Sequence, residues 1–383
     1  MAGLVVLAIG TCGVPAQRSM ASPGQTGCRT VADFYRSAPA ANLWTSSGRL
    51  TAKGRTLRGF LAERRVQAGS SERQLSDALV GWAQTLTSSA ASGVLYVDAA
   101  VRPTPPCPSA LLEAAARAPD LLAHLNRLEA PNALAQALRP PGRSASDRDL
   151  ALARIVGAPA RAVVVDTGSA RLWTLENGQV VDTMKVVVGK LGMQTPQMAG
   201  RIQFATLNPY WNVPPDIVRS RFATQAIKRG ASSLPQQGYQ VVDRYGSGAR
   251  PLDPRTINWG DVASGKRKVG VRQLPGPANM MGTVKFIFPN DLGIYLHDTP
   301  GRWAFDRADR RLSSGCVRVE RAGDLYRWMF GGDLSSTGAR QAEQRVPLAQ
   351  PVPVYLFSFS PGGAVALLRA TDQPPSASAI SAT

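Results

Sequence analysis

The spacing of apolar residues changes near Pro159, and this change constrains the fold more than any other feature of the chain. Before it, segments such as Thr51–Ala68, Glu72–Thr87 and Pro108–Leu128 carry apolar residues three and four positions apart, which is typical of amphipathic helices. After it, short alternating or β-branched runs are separated by turn sequences such as Glu176-Asn177-Gly178. The sequence therefore predicts an α+β protein, in which a helical region precedes a mostly antiparallel sheet.

The predicted elements divide the chain into domains. We expect a helical domain over residues 28–150, a hinge over 140–158, a β-rich domain over 159–360 and a disordered tail over 361–383. Residues 214–277, the lid segment, interrupt the β-rich domain with a long stretch rich in Pro, Gly and polar residues, and such insertions are usually lids, binding loops or disorder. The predicted strands are Ala162–Val165, Ala170–Leu175, Thr183–Val188, Arg201–Leu207, Thr283–Phe288, Gly293–His297 and Val352–Phe359, with a helical turn at Val319–Met329.

Residues 1–27 are predicted to be a signal peptide and leader. The apolar run Gly3–Ile9 precedes Val14-Pro15-Ala16, whose composition suits signal-peptidase cleavage. No Lys or Arg precedes that run, so an atypical signal, a start site placed too late and a buried strand stay open, and acylation of Cys12 is a weaker alternative. No apolar run reaches the roughly 18 residues that a bilayer span needs. We therefore expect export to the periplasm or cell envelope, with no transmembrane segment beyond the signal.

The charge balance narrows the class of partner. The 383 residues include 44 Lys+Arg and 26 Asp+Glu, which gives a formal net charge of +18. Such a chain is attracted to nucleic acid, anionic lipid or the acidic polymers of a cell envelope. The alternative explanation of the charge is that Arg residues spread along the chain only keep the protein soluble. The densest cluster is Lys266-Arg267-Lys268, with Arg272 nearby, and it has no interleaved aromatic residues. We therefore expect no nucleic-acid partner.

The cysteines fit an exported protein. They lie at positions 12, 28, 107 and 316, and removal of a signal would take Cys12 with it. In an oxidising compartment Cys28 and Cys107 are able to pair, which leaves Cys316 as a lone thiol. A small buried apolar role for Cys316 is the alternative.

A lone thiol and one histidine suggest nucleophilic chemistry. The only two histidines are His124, in a Leu-rich helix where a structural role is expected, and His297, at the end of a predicted strand. An imidazole that takes the thiol proton and a helix dipole that stabilises the thiolate would make Cys316 a nucleophile, and we expect a helix directly after it. The N–H groups of Gly315 and Cys316 are the oxyanion candidates. The scattered His and Cys residues lack ligand spacing, so neither a metal nor a cofactor is expected.

Two longer strings make this reading specific. They are Tyr295-Leu296-His297-Asp298-Thr299-Pro300 and Ser313-Ser314-Gly315-Cys316-Val317-Arg318, with 15 residues between His297 and Ser313. Together they resemble the active-site signature of L,D-transpeptidases with a YkuD-type catalytic domain. Further strings at 186–190, 208–214 and 275–286 look like the large periplasmic branch typified by YcbB. The resemblance covers about residues 160–360, and the sequence around Phe34-Tyr35 and Leu43-Trp44 looks like the helical scaffold of that branch.

The resemblance implies a cell-wall enzyme. Such enzymes attack the bond between diaminopimelate and the terminal D-alanine of a stem tetrapeptide, form a thioester and pass the acyl group to a second stem, giving a 3-3 cross-link; carbapenems acylate the same thiol. By this resemblance Cys316 is the nucleophile, His297 the general base and then acid, the Asp298 carbonyl the group that orients His297, and Gly315 an oxyanion donor. The candidate substrate-binding residues are Tyr295, Ser313, Ser314, Arg318, Trp211 and Asn279.

Some features depart from the family pattern or leave alternatives open. Ser314 stands where the family usually has His, and no room is found for a peptidoglycan-binding module between scaffold and catalytic regions, so substrate anchoring would rest on the lid segment or a partner. Arg318 either binds a substrate carboxylate, clamps the cysteine loop or makes an ordinary salt bridge, and Trp211 is otherwise a core residue. The expected partners are peptidoglycan stem peptides and other cell-wall synthesis proteins. A hydrolase that uses the same residues and an inactive wall-binding protein are the alternative functions.

Overall fold

The computed structural model describes residues 27–88, 93–139, 146–246, 248–334 and 341–371. The predicted signal and Cys12 lie outside these ranges. The helices are α1 (Val31–Ser37), α2 (Ala52–Glu63), α3 (Glu72–Ser88), α4 (Pro108–Arg117), α5 (Leu121–Glu129), α6 (Ala133–Ala137), α7 (Asp147–Ile155), α8 (Pro215–Ile217), α9 (Thr224–Arg229), α10 (Ser233–Gln236), α11 (Trp259–Ala263), α12 (Ala322–Phe330) and α13 (Pro361–Thr371). Short 3₁₀ helices lie at Ala99–Val101, Pro254–Thr256 and Arg302–Asp306, and a π-helix at Val218–Ala223.

The strands follow the predicted pattern after Pro159. They are β1 (Thr45–Ser46), β2 (Arg49–Leu50), β3 (Leu95–Tyr96), β4 (Arg161–Asp166), β5 (Arg171–Glu176), β6 (Gln179–Gly189), β7 (Met198–Leu207), β8 (Trp211–Asn212), β9 (Tyr239–Val242), β10 (Pro251–Leu252), β11 (Gly270–Gln273), β12 (Val284–Ile287), β13 (Leu296–His297), β14 (Arg311–Ser313), β15 (Val317–Val319) and β16 (Gln344–Phe357).

Eight strands close on themselves. Their order is β12-β13-β15-β6-β5-β4-β16-β7, and β7 pairs with β12 to complete the ring. Six of these pairings are antiparallel, whereas β13–β15 and β4–β16 are parallel. The α+β class with a mostly antiparallel sheet is therefore confirmed.

The sheet is buried on both faces, which explains why β4 reads as a continuous apolar run. Val163 and Val165 belong to one apolar core, which also takes in residues of α12. Ala162 and Val164 belong to a second core, shared with α6, α7 and α13. Because side chains alternate between faces along a strand, a one-residue slip of β4 would exchange these two sets.

The first five helices surround a separate core. Its largest fully buried side chains include Trp44, Leu57 and Leu75. The carboxylate of Glu72 accepts hydrogen bonds from the backbone N–H groups of Leu43, Trp44 and Thr45, at 2.6–2.9 Å, which fixes the loop before β1. A disulfide joins Cys28 to Cys107, and Cys316 is the free cysteine of the described ranges.

The predicted domain boundary differs from the packing in the structure. Residues up to 150 were expected to form one helical domain, but Leu134 and Leu152 are buried against the sheet in its second core. Strand β3 also pairs with β7 in parallel. The reason is that the apolar faces of α6 and α7 pack against strands of the sheet and against α13.

The expectation of a disordered tail from residue 361 is wrong for its first eleven residues, which form α13. Both Ser360 groups, N–H and hydroxyl, donate to the carboxylate of Asp149, and Leu367 is fully buried. This anchor comes from α7, so the helix is held by contacts that are distant in sequence. Residues 372–383 lie outside the described ranges.

The lid segment has its own core rather than being a loop. Strands β10, β9, β11 and β8 form a four-stranded antiparallel sheet. The core beneath it includes Val218, Phe222, Val241 and Val271, all essentially buried. Because it carries a core of this kind, the segment presents fixed surfaces to the neighbouring sheet. Across the ranges given above, every helix is too short or too polar to cross a lipid bilayer.

Candidate active site

The sheet places His297 between two cations. Strand β13 pairs with β12 on one side and β15 on the other, and in this register His297 lies opposite Lys285 and Arg318. Directly opposed residues share one face of a sheet. The His297 side chain is only 2% exposed, so the imidazole is surrounded by protein and flanked by positive charge.

The orientation of His297 is fixed by the backbone of its neighbour. Its Nδ1 lies 2.5 Å from the Asp298 carbonyl oxygen. A carbonyl only accepts, so Nδ1 carries the hydrogen of the neutral ring and Nε2 keeps its lone pair. The Asp298 carboxylate in turn accepts from the Thr283 N–H and hydroxyl, each at 2.9 Å. The structure thus brings Asp298 to the position expected for an orienting group.

Burial keeps the imidazole neutral. Burial is the largest of the causes that lower the pKa of His297 to about 3; the charges of Arg318 and Lys285 act in the same direction, and hydrogen bonds to the carbonyls of Asp298 and Met281 oppose them. At neutral pH the ring is therefore an unprotonated base.

The cysteine loop is closed by its own hydrogen bonds. Gly315 has φ of +120°, and a Cβ there would lie 3.0 Å from Ile294, so only glycine suits the position. The Gly315 N–H donates to Ser313 Oγ at 3.1 Å, and Ser313 Oγ donates to the Cys316 carbonyl at 2.6 Å. The expectation that the Gly315 N–H faces an oxyanion is therefore wrong, because that N–H is already used. Ser313 shapes the loop with the same hydroxyl that was expected to touch substrate.

Thr195 is a residue to which sequence reasoning gave no role. Its hydroxyl accepts from the Gly189 N–H at 2.9 Å and donates to the Gly315 carbonyl at 2.7 Å. It is 6% exposed. It therefore ties the end of β6 to the cysteine loop. The only signal in the sequence is that Thr195-Pro196 closely follows the string at 186–190.

The helix predicted at Val319–Met329 is present, but it does not follow Cys316 directly. Cys316 leads into β15, and α12 begins only at Ala322. The reason is that the β-branched Val317 and Val319 are paired on both edges, with β13 and with β6. No helix dipole therefore acts on the thiol, and the cations nearby are side chains.

The thiol of Cys316 is held in its protonated form. Burial raises its pKa, and this outweighs hydrogen bonds from the backbone and hydroxyl of Tyr295 and the charges of Arg318 and Lys285, which lower it. Sγ donates to the Gly293 carbonyl at 3.5 Å. Among the hydrogen bonds of the described ranges, none joins Sγ to His297. The resting pair is thus a neutral thiol and a neutral imidazole.

This charge state predicts a pH dependence. A raised thiol pKa means that little thiolate exists at pH 7, so the rate of Cys316 alkylation by iodoacetamide should rise about tenfold per pH unit up to at least pH 9. The measurement is the mass shift of the protein with time at pH 5 to 10. A rate that levels off between pH 5 and 7 would indicate an imidazolium–thiolate pair and would contradict the neutral resting state.

One cavity of about 230 Å³ collects most of the predicted site residues. Cys316 and His297 both line it, together with five of the six candidate substrate-binding residues: Trp211, Tyr295, Ser313, Ser314 and Arg318. Asn212, just before the lid segment, and Pro214 and Ile217 at its start add a wall. Within the described ranges the Arg318 side chain has no ion-pair partner, so its guanidinium is available to a ligand in the cavity.

Asn279 is not among the residues that line this cavity, and its prediction as a substrate contact is wrong. Its side chain is 1% exposed. Nδ2 donates to the carbonyls of Pro209, Gln273 and Leu274 at 2.9–3.2 Å, and Oδ1 accepts from the Met281 N–H at 2.8 Å. Asn279 therefore joins the chain before the lid segment to the end of that segment, and both of its amide hydrogens are used there.

Lys285 and Glu343 form an ion pair beside the site that the sequence did not reveal. Lys285 Nζ lies 3.3 Å from Glu343 Oε1, and it lies 5.8 Å from the centre of the Tyr295 ring. Glu343 also accepts from the Tyr210 N–H at 2.7 Å. The pair joins β12 to the chain before β16 and holds a cation near the thiol.

The chain's other histidine does not line the cavity. His124 lies in α5, and its Nε2 is buried with no hydrogen-bond partner within the described ranges. In the same ranges, no three His, Cys, Asp or Glu side chains come together as a metal site.

The fold and the site define a protein with a buried imidazole and a free thiol on one closed sheet, an arrangement suited to acyl transfer. The family model of the L,D-transpeptidase catalytic domain, YkuD, matches residues 160–353, which is half of the chain. The chain therefore belongs to the YkuD L,D-transpeptidase family.

One relative matches this chain over part of its own length. A Haemophilus influenzae protein named "Putative L,D-transpeptidase" is 32% identical over 163 residues, which are 43% of this chain and 32% of that protein. The match thus spans about a third of that relative's length.

Two solved structures are similar at low identity. An L,D-transpeptidase from Mycobacterium smegmatis is 12% identical over 52% of this chain and 59% of that one, with a TM-score of 0.27. One from Stackebrandtia nassauensis is 13% identical over 83% of this chain and 97% of that one, with a TM-score of 0.24. TM-scores this low carry no argument about shared geometry.

Proposed function

We propose that this protein is a peptidoglycan L,D-transpeptidase that uses Cys316 to form 3-3 cross-links. The observation that carries the proposal is the shared cavity, in which an unpaired thiol and an unprotonated imidazole face the same space. A structural thiol and a structural histidine would need no common opening to solvent.

The first half-reaction acylates the enzyme. The Cys316 side chain turns from the Gly293 carbonyl towards His297, whose Nε2 takes the thiol proton as Sγ bonds to the carbonyl carbon of diaminopimelate. The Cys316 N–H faces the oxyanion, since the Gly315 N–H is occupied, and the Tyr295 hydroxyl assists it. His297 then returns the proton to the nitrogen of D-alanine, the C–N bond breaks, and a thioester remains.

The second half-reaction transfers the acyl group. The side-chain amine of a second diaminopimelate attacks the thioester carbon, His297 takes its proton, and the C–S bond breaks to restore the thiol. Arg318 holds a substrate carboxylate, because its guanidinium lines the cavity and no carboxylate of the described ranges neutralises it. Water in place of the amine would give carboxypeptidase activity.

We also propose that the protein works outside the cytoplasm and belongs to the YcbB-like branch. The Cys28–Cys107 disulfide supports an oxidising compartment, and the substrate class lies there. The lid segment and the preceding helices support the branch assignment.

Product analysis tests the function. The purified protein is incubated with a diaminopimelate-containing disaccharide-tetrapeptide, and the products are separated and weighed. We expect a dimer that has lost one D-alanine. Tripeptide alone would show a hydrolase instead, and no product together with no thioester would overturn the assignment in favour of a wall-binding protein.

A further inference from the structure

The lid segment contains a second cavity, of about 380 Å³, which the proposed reaction does not use. Its rim carries four cations, Arg219, Arg244, Arg267 and Lys268, against one carboxylate, Asp243. Apolar side chains of the lid core line the rest of it. The cavity includes two residues of the basic cluster that the sequence singled out at 266–268.

The single carboxylate is already engaged. Asp243 Oδ1 accepts from the N–H groups of Arg244 and Arg250, each at 2.8 Å, and Oδ2 lies 3.5 Å from Arg244 Nη1. Three cations are left, Arg219, Arg267 and Lys268. All three are exposed, and none has an ion-pair partner in the described parts of the chain. Clustered like charges repel one another, so an anionic ligand in this cavity would be stabilised.

The wall of this cavity is also the wall of the active site. Along one short stretch, Pro214 and Ile217 line the catalytic cavity, whereas Pro215, Val218 and Arg219 line the cationic one. The two cavities share no lining residue. A ligand in the cationic cavity is therefore separated from the catalytic cavity by this one stretch of chain and leaves free the space that the acylated stem needs.

A second connection runs through Tyr245, which lines the cationic cavity. Its hydroxyl donates to the Val213 carbonyl at 2.5 Å and accepts from the Val271 N–H at 3.1 Å. Val213 directly follows Asn212, which lines the catalytic cavity. The cationic cavity is therefore built on the same backbone as the active-site wall.

We propose that this cavity binds the carboxylates of the second, amine-donating stem peptide and so forms an anchoring site for the acceptor strand. The proposal rests on the proposed transpeptidase function, and charge complementarity selects the ligand. A stem peptide with diaminopimelate and a free carboxyl end is an acidic peptide, and guanidinium and ammonium groups pair with carboxylates through charge-assisted hydrogen bonds.

The test compares two double substitutions that remove the same charges. Arg267→Gln/Lys268→Gln alters the cationic cavity. Lys228→Gln/Arg229→Gln is the matched control, because these two exposed residues end α9 in the same lid segment and line neither cavity. Each variant of the full chain is assayed for the rate of carbapenem acylation and for the dependence of cross-linking on acceptor concentration.

We expect the cavity variant to raise the acceptor KM about tenfold, with carbapenem acylation within about twofold of the unsubstituted protein. The control should leave both quantities within about twofold. The difference should shrink at high salt, since exposed charges are screened. Equal losses in both doubles would show an effect of net charge alone and would overturn the proposal, as would an unchanged acceptor KM in the cavity variant.

A binding measurement separates this proposal from the function on which it rests. Calorimetry with disaccharide-tetrapeptide on a Cys316→Ala background measures binding at the catalytic and cationic cavities without chemistry, and adding Arg267→Gln/Lys268→Gln should weaken the binding at the cationic cavity about tenfold. If cross-linking fails but this loss is found, the function is wrong and the acidic-peptide site stands. If the loss appears only with vesicles of phosphatidylglycerol, the ligand is a membrane surface and the proposal is overturned.

Discussion

Replacing Cys316 with alanine is expected to reduce cross-linking by at least about 10⁴-fold. The change removes the atom that forms the thioester, and no other free thiol exists in the described ranges to replace it. Residual turnover by the cavity alone would lack any covalent intermediate. The measurement is dimer formation from disaccharide-tetrapeptide, with intact mass after incubation with a carbapenem.

The same variant should keep its fold. Cys316 is half-buried, and a thiol makes only weak hydrogen bonds, here with Gly293 and Tyr295, so the melting temperature should change by no more than a few degrees. The unsubstituted protein should gain one carbapenem mass, located by peptide mapping on Cys316. An adduct on Cys28 or Cys107, or cross-linking retained in Cys316→Ala, would contradict the mechanism.

The parts of the site that the sequence predicted are those held by contiguous residues. His297 and its orienting Asp298 carbonyl are neighbours in sequence, and the cysteine loop runs unbroken from Ser313 to Cys316. A short string therefore contains both the chemistry and the local geometry. The closed ring was not predicted, because it depends on β7 pairing with β12 about 80 positions further along.

The parts that it missed depend on contacts between distant residues. Thr195 reaches a carbonyl 120 positions away, and Lys285 pairs with a carboxylate 58 positions away. Asn279 was predicted to contact the substrate, but its Nδ2 donates to the carbonyl of Pro209, 70 positions earlier. The N–H of Gly315 was misjudged for another reason: whether a nearby hydroxyl accepts it is a matter of rotamer, which composition and spacing do not specify.

The residues directly after Cys316 form a strand and not the start of a helix, and this affects the mechanism. A helix end would have stabilised a resting thiolate, whereas the strand in its place leaves the thiol protonated and buried. Ionisation then has to be coupled to substrate attack, and His297 is the only imidazole in the cavity to accept the proton. The cations Lys285 and Arg318 favour the thiolate once it forms, and they disfavour protonation of His297 before that.

Substituting His297 with glutamine is therefore expected to slow carbapenem acylation of Cys316 by about 10³-fold at pH 7, since a general base contributes roughly 10²–10⁴-fold. The deficit should shrink as the pH rises, because the thiol then ionises without a base. The measurement is the acylation rate from pH 6 to 10, with the melting temperature as a check on folding.

The matched control is His124→Gln, which changes the chain's other histidine, a residue of α5 that does not line the cavity. It should leave the acylation rate within about twofold of the unsubstituted protein at every pH. A His297→Gln deficit that stays constant with pH would mean that the imidazole only holds the cavity in shape. A deficit smaller than about tenfold would mean that another group takes the proton. A deficit that closes with rising pH identifies His297 as the base. A purely structural role of the neutral, buried ring would not vary with the ionisation of the Cys316 thiol.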